Sequence, residues 1–367
     1  MFLTRIILHD FKNIPEAEVR FSPKVNCIYG SNGAGKTNLL DAIYYLSMTK
    51  SCFSTSDQYV YAFGAPEATL CGFYEMDGGT EEKISVAVRR GGEKEVRRGA
   101  KAYGRFSEHI GLLPVVMVSP MDSALVNETG EERRKYLNFI LSQTDREYLA
   151  HIQAYNQLLA QRNRLLKADL YPEELLDTFT ERMAPHAAAI HAARQQLCDE
   201  LRPLIREFYA KLSRGREEVD IAYRSDLDEC GLEELFARER EKERVLRYTT
   251  AGIQRDDLSF RLDGHPLRRC GSQGQQKSFL LAMKLAQFRF VQRIYGQTPI
   301  LLLDDVFDKL DMQRVEDLLA LVSTLDFGQI FLTDSNKVRL ENVSRSIGAP
   351  CRSFRVEKGQ ITEETEV

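Results

Sequence analysis

The sequence predicts an α/β protein: a glycine-rich loop on a parallel sheet, with a compact helical lobe inserted into the chain. Three observations carry that expectation. "GSNGAGKTN" (30–38) lies between an apolar run and a helix-like one. "PILLLDD" (299–305) is an apolar run closed by two carboxylates. Between them the apolar spacing turns helical near residue 121, and strand patterns return near 248.

The loop comes first. Gly30, Gly35, Lys36 and Thr37 occupy the fixed places of G-x-x-x-x-G-K-[ST]. Glycines let backbone N–H groups close around phosphate oxygens, because no Cβ intervenes. The lysine reaches the β- and γ-phosphates of a nucleotide, and the threonine hydroxyl takes Mg²⁺. "VNCIYG" (25–30) reads as a buried strand entering the loop. "LLDAIYYLS" (39–47) reads as a helix leaving it, starting at about Asn38 with its positive end toward the same anion. A chance glycine-rich turn would lack that strand–loop–helix order.

From residue 1 to about 120 the pattern is strand-rich. "ATLCGFYEM", "KISVAVRR" and "KEVRRGAKAYG" are separated by the turn signals Asp77-Gly78-Gly79 and Gly91-Gly92. "LLPVVMVSP" (112–120) is a compact apolar strand. From 121 to 247 the apolar residues take helical spacing, among them Tyr136, Leu137, Ile140, Leu141, Leu149, Ile152, Tyr155, Leu158 and Leu159. A second helical run follows Pro172 toward Leu212. Heptads are not sustained, which argues against a long coiled-coil arm. After 248, "LSFRLDGHPLR" carries the hairpin signal Asp263-Gly264. A helix (about 275–295), the strand "PILLLDD", another helix and the strand "QIFLT" (329–333) follow. Strands alternating with helices imply a parallel sheet. Residues 1–120 and 248–367 are expected to form one head domain, interrupted by the helical lobe 121–247.

With 367 residues, 43% of them hydrophobic and 28% charged, the chain is an ordinary globular one of two or three domains. No apolar run reaches the ~18 residues of a transmembrane helix, and the N-terminus lacks a signal peptide's long apolar centre. The seven cysteines are scattered and never in C-x-x-C spacing, and the six histidines are equally dispersed. Reduced thiols in a cytoplasm fit; zinc has no support. A net charge of −4 means that nucleic-acid binding would need a local basic patch.

Two further stretches complete the candidate site. Acidic groups closing a strand buried on both faces would emerge where open α/β sheets bind ligands. Asp304 would hold Mg²⁺, through water, and Asp305 would orient an attacking water. The plainer alternative is a core strand ending in a solvated acidic turn. In "GSQGQQKSFLLAMKLAQFRF" (271–290), Ser272 is a good N-cap and Gly274 allows close backbone approach. Gln275 and Gln276 are polar where the helix opens.

A serine-glycine-glutamine cap ahead of that acidic strand resembles the ATP-binding-cassette superfamily. The resemblance narrows to the RecF family. "LHDFKNIPEAEVRFSPKVNCIYGSNGAGKTNLLDAIYYLSMTKSCF", "VMVSPMDSALV", "ERRKYLNFILSQ" and "YLAHIQAYNQLLAQRNRLLK" resemble that family's start and middle. "GIQRDDLSF", "GSQGQQKSFLLAMKLAQF" and "PILLLDDVFDKLD" resemble its end. The resemblance implies an ATP-binding-cassette-type ATPase head with a compact lobe. ATP would be bound by Gly30, Ser31, Asn32, Gly33, Ala34, Gly35, Lys36, Thr37 and Asn38, and Mg²⁺ by Thr37 and Asp304. Lys36 and Asp305 would be catalytic, with Asp305 in place of the glutamate usual among cassettes. Ser272, Gln273, Gly274, Gln275 and Gln276 would act in trans on ATP held by a second copy, and Asp311 would face that copy. Two departures stand out. The cassette switch histidine is absent, with Asp334 near its place, and Gln254 stands where a histidine is expected in "GIQRDD". The first points to slow hydrolysis; the second leaves Arg255, Asp256 and Asp257 either functional or part of a structural hairpin contact.

The same resemblance implies binding to gapped DNA at single-strand–double-strand junctions, an ATP-dependent homodimer, and cooperation with RecO and RecR to load a recombinase. Candidate DNA contacts are Arg89, Arg90, Arg97, Arg98 and Lys101, or Arg133, Arg134 and Lys135, although a charge run is usually a solvated face. A nucleotide-switched protein scaffold without DNA recognition fits the same motifs. A small-molecule kinase has no use for "SQGQQ", and a transporter's cassette lacks the strand-rich start with "FKN".

Overall fold

The computed structural model describes residues 1–168, 170–307, 314, 316–318, 320, 321, 327–348 and 350–364. The chain divides into two compact units, Met1–Asp122 with Gln287–Val367, and Ser123–Ala286.

Two sheets build the first unit. Strands β1 (Phe2–Phe11), β2 (Ile14–Arg20), β4 (Glu67–Glu75), β5 (Glu81–Arg89), β6 (Lys94–Arg98) and β7 (Lys101–Ala102) form an antiparallel sheet in the order β2-β1-β4-β5-β6-β7. Alternation places Leu70 and Tyr74 on β4, and Ile84, Val86 and Val88 on β5, in the core. This is the pattern of a sheet with one buried face. The second sheet runs β15-β14-β3-β13-β12-β8. Its strands are β3 (Val25–Tyr29), β8 (Val115–Val118), β12 (Ile300–Leu303), β13 (Ile330–Asp334), β14 (Cys351–Glu357) and β15 (Gln360–Glu364). All its pairings are parallel except β14 with β15. Every residue of β3, β8, β12 and β13 is buried, which is why β8 and β12 read as continuous apolar runs and β3 and β13 carry only Asn26, Thr333 and Asp334 as polar members.

Helix α1 (Lys36–Met48) touches β1, β4 and β5 of the first sheet and β8 and β13 of the second. Leu39, Leu40, Ala42, Ile43, Tyr44, Tyr45 and Leu46 are all buried, as expected of a helix that is apolar all round. The buried amide of Gln329 ties the sheets together. Its Oε1 accepts from the Leu3 N–H at 2.8 Å, and its Nε2 donates to the carbonyls of Leu3 and Ser22, each at 2.8 Å.

The second unit is mostly helical. Its helices include α2 (Ala124–Asn127), α3 (Gly130–Thr144), α4 (Arg146–Leu166), α5 (Glu173–Ser213), α6 (Leu232–Leu246), α7 (Leu267–Cys270) and the start of α8 (Gln273–Tyr295). The helical spacing that begins near residue 121 is broken at Asp145, whose backbone is extended. Its carboxylate caps α4 by accepting from the N–H groups of Glu147 and Tyr148. Strand β9 (Val219–Arg224) pairs antiparallel with β10 (Asp257–Leu262), which forms a hairpin with β11 (His265–Pro266). Asp263 and Gly264 make its turn at φ 48° and 79°, the left-handed pair that Asp-Gly favours. Sequence placed the second domain boundary at 247/248. The pairing of β9 with β10 carries the second unit past that point, and it runs to Ala286.

"GIQRDD" lies in this unit's buried polar network. Arg194 and Asp256 form a buried ion pair at 2.5 Å, and the Tyr223 hydroxyl donates to the same carboxylate. Arg194 also donates to the Ile253 carbonyl at 2.8 Å and to Asn138 Oδ1 at 3.0 Å. The Tyr155 hydroxyl donates to Gln254 Oε1 at 2.6 Å, and Arg133 holds Asp257. Burial pushes the Asp256 carboxyl above the usual range, against the pull of Arg194. Gln254, Asp256 and Asp257 therefore fasten helices α3, α4 and α5 to the hairpin. Among the described residues no helix is long and apolar enough to cross a membrane.

Candidate nucleotide-binding site

The 30–38 loop joins β3 to α1 at the carboxyl ends of the parallel strands. A Cβ on Gly30 would lie 2.2 Å from the Val356 carbonyl oxygen of β14, so that strand presses where only glycine fits. Gly35, at φ 121°, needs the same freedom just before the helix. Ser31, Asn32 and Gly33 are exposed, whereas Ala34, Gly35 and Lys36 are buried. The Lys36 ammonium donates to the carbonyls of Gly30 at 2.9 Å and Ser31 at 3.3 Å, which aims it across the loop. No acidic residue occupies the first turn of α1, leaving its N-terminal field positive.

Two residues outside the motif brace this loop. Asn13, in the β1–β2 turn, donates to the Ala34 carbonyl at 3.3 Å and accepts from Asn38 Nδ2 at 2.7 Å. The Gly359 N–H, in the β14–β15 turn, donates to the Ala34 carbonyl at 2.8 Å. The motif template names neither; "FKN" is the only signal for the first, and nothing in the sequence marks the second.

Asp304 closes β12 beside the loop. The Thr37 hydroxyl lies 3.0 Å from both of its carboxylate oxygens. Thr333, on β13, donates to Asp304 Oδ1 at 2.7 Å and accepts from the Asp305 N–H at 3.0 Å. Thr333 therefore positions both acidic residues, a role visible only once β12 and β13 are adjacent. Burial pushes the Asp304 carboxyl above the usual range, and the hydroxyls of Thr333 and Thr37 counter it. Asp305 sits at φ 45°, a left-handed conformation that aspartate tolerates better than longer side chains do. Asp334, near the place of the absent histidine, ends β13 opposite Tyr29. Its carboxylate is held by Arg339 at 3.0 Å and by the Asn336 N–H at 2.8 Å. Asp311 lies outside the described residues.

In the second unit, Ser272 caps α8. Its Oγ accepts from the Gln275 N–H at 3.3 Å, and its own N–H donates to Gln275 Oε1 at 2.6 Å. This is a capping box with glutamine as the reciprocal partner. The bond uses one acceptor lone pair of Ser272 and leaves its O–H proton available. The N–H groups of Gln273 and Gly274 open the helix without an intrahelical acceptor. Ser272 and Gln273 are exposed, and Gln276 donates back to the Gly271 carbonyl at 2.9 Å. The opening presents donors suited to an anion.

The candidate DNA-contact residues are mostly engaged. Arg89 pairs with Glu67, Arg97 with Glu95 and Arg98 with Glu82. Arg133 holds Asp257, Arg134 donates to the Asp256 carbonyl, and Lys135 pairs with Glu131 and Glu132. Arg90 and Lys101 are exposed, with no ion pair among the described residues.

Comparison with known proteins places this geometry in a family. The family model for the RecF/RecN/SMC N terminal domain matches residues 2–357. The chain is 41% identical to the DNA replication and repair protein RecF of Bacteroides thetaiotaomicron, covering 99% of both chains. It is 43% identical to that of Parabacteroides distasonis, over 98% of this chain and 99% of the other. Among solved structures, the recombination mediator protein RecF with ATP in the RecFOR pathway aligns with a TM-score of 0.88 at 26% identity, over 99% of this chain and 98% of that one. The architecture is thus that of an ATP-binding-cassette-type ATPase head with a helical lobe, and the chain belongs to the RecF family of DNA replication and repair proteins.

Proposed function

We propose that this chain binds Mg²⁺–ATP at the 30–38 loop, pairs with a second copy through Ser272–Gln276, and holds DNA as that pair. The observation that carries the reading is Thr37 Oγ1 lying 3.0 Å from both oxygens of Asp304. Hydroxyl and carboxylate oxygens side by side are the hard donors that Mg²⁺ takes, and they stand beside the lysine that would meet the phosphates. Bound there, the ion would neutralise charge on the β- and γ-phosphates. Lys36 would neutralise the phosphate chain, Thr37 and Asp304 would hold the metal, and Asp305 would orient the water. With a short carboxylate at 305 and no switch histidine, turnover is slow and ATP acts as a timed clamp.

That the relatives are DNA replication and repair proteins supports a DNA-repair role, and that the solved relative belongs to the RecFOR pathway supports partnership with RecO and RecR. The DNA we assign is a gap with a single-strand–double-strand junction, onto which the complex helps to load a recombinase. Since the chain is acidic overall, binding comes from a local patch and weakens steeply with salt, as counterion release requires. A gel shift with gapped DNA, with and without ATP, tests this. Stronger retention with ATP and at low salt is expected; binding indifferent to both favours a protein scaffold.

The trans contact has its own test. A closed two-fold pair uses the same patch on both copies. Ser272→Arg leaves ATP binding by the monomer near the parental level and abolishes ATP-dependent pairing. Light scattering that finds the pair unaltered removes the sandwich from this reading.

A further inference from the structure

The signature glutamine is held by a residue that no motif contains. Glu217 lies in the segment between α5 and β9, far in sequence from 272–276. One of its oxygens accepts from Gln275 Nε2 at 2.7 Å, and the other accepts from the Tyr209 hydroxyl at 2.6 Å. Tyr209 is buried near the end of α5, so it fixes the carboxylate against rigid structure. The amide of Gln275 is thereby spanned at both ends: Nε2 by Glu217, and Oε1 by the Ser272 N–H at 2.6 Å.

From this chain of bonds we infer that Glu217 is a positioning residue for the trans-acting signature. Gln275 is a structural clamp that holds the Ser272 hydroxyl and the first N–H groups of α8 in place, and Glu217 latches the clamp. The inference rests on the proposal that Ser272 acts on a nucleotide bound by a second copy. An exposed serine cap can rotate and fray. One whose reciprocal side chain is tethered to a buried tyrosine loses less freedom when a phosphate arrives, and such preorganisation raises affinity without a new contact.

Removing the acceptor tests the latch. Glu217→Gln leaves two amides able to face each other in several ways, and Glu217→Ala removes the acceptor altogether. Each substitution is expected to raise the ATP concentration for half-maximal pairing about fivefold, the scale of one ordinary net hydrogen bond. Labelled-ATP binding by the monomer should stay at the parental value. Glu217→Asp, which keeps the charged acceptor one methylene farther back, should fall between the parent and Glu217→Gln. Unchanged pairing in Glu217→Gln and Glu217→Ala overturns the latch. So does a parallel loss of monomer ATP binding, which would make Glu217 a general fold residue.

Amide hydrogen exchange across 272–276 separates the latch from the reading beneath it. Faster exchange in Glu217→Ala than in the parent, when the parent itself forms no ATP-dependent pair, upholds the latch and overturns the sandwich. Equal exchange in parent and Glu217→Ala overturns the latch, whatever the pairing result.

Discussion

Lys36→Ala is expected to lower ATP affinity by on the order of a hundredfold or more. The ammonium would meet phosphate oxygens in charge-assisted bonds, each worth about 1.5–3 kcal/mol. Its direction is set in advance by bonds to the Gly30 and Ser31 carbonyls. The fold should survive, because α1 is anchored by Leu39, Leu40, Ile43 and Leu46 rather than by Lys36. Two loop carbonyls would lose a donor, so the thermal midpoint should fall modestly. Lys36→Arg does not rescue binding: a planar fork cannot replace a compact ammonium in a position only 4% exposed. Labelled-ATP binding beside a thermal melt checks both variants. ATP binding retained in Lys36→Ala at parental affinity would remove this lysine from the site.

Asp305→Asn and Asp304→Asn should separate hydrolysis from metal binding. Asparagine tolerates a left-handed backbone as aspartate does, so Asp305→Asn keeps the φ of 45° and the N–H bond to Thr333. Thr37 and Asp304 would still be in place to hold the metal, and Mg²⁺–ATP binding is expected to persist. Residual hydrolysis falls on the order of a hundredfold, the scale of a misplaced attacking water. ATP-bound pairs then accumulate and release DNA slowly. Asp305→Glu should give no fast enzyme, because the longer side chain suits that backbone less well. Asp304→Asn acts differently. It replaces the charged acceptor of Thr37 and Thr333 by an amide, weakening Mg²⁺ binding itself and raising the Mg²⁺ concentration needed for turnover. ATP turnover against Mg²⁺, measured beside pair lifetime, distinguishes the two. Hydrolysis at the parental rate in Asp305→Asn would show that another group orients the water.

The features written in local chemistry are legible from residue order alone. Glycine spacing, one lysine and one threonine specify the loop, since only bare backbone lets N–H groups converge on phosphate. The runs "VVMV" and "ILLL" declare their burial, because a strand covered on both faces has no polar side to show. Asp263-Gly264 announces its turn through the positive φ it must adopt. The helices of the lobe follow from apolar spacing. Relations between residues far apart in the chain emerge only on folding. Thr333 meets Asp304 because β13 and β12 run parallel in one register. Asn13 braces the loop because the β1–β2 turn folds over Ala34. β9, a short polar-alternating strand hidden between helical runs, becomes legible through its partner β10, and that pairing draws the second unit beyond 247. Arg133 and Arg134 read as a basic run, yet both are turned inward onto Asp257 and the Asp256 carbonyl. A sequence pattern records each residue's preference for water or core, whereas which buried polar group answers which is settled only by the packing that brings them within hydrogen-bond reach.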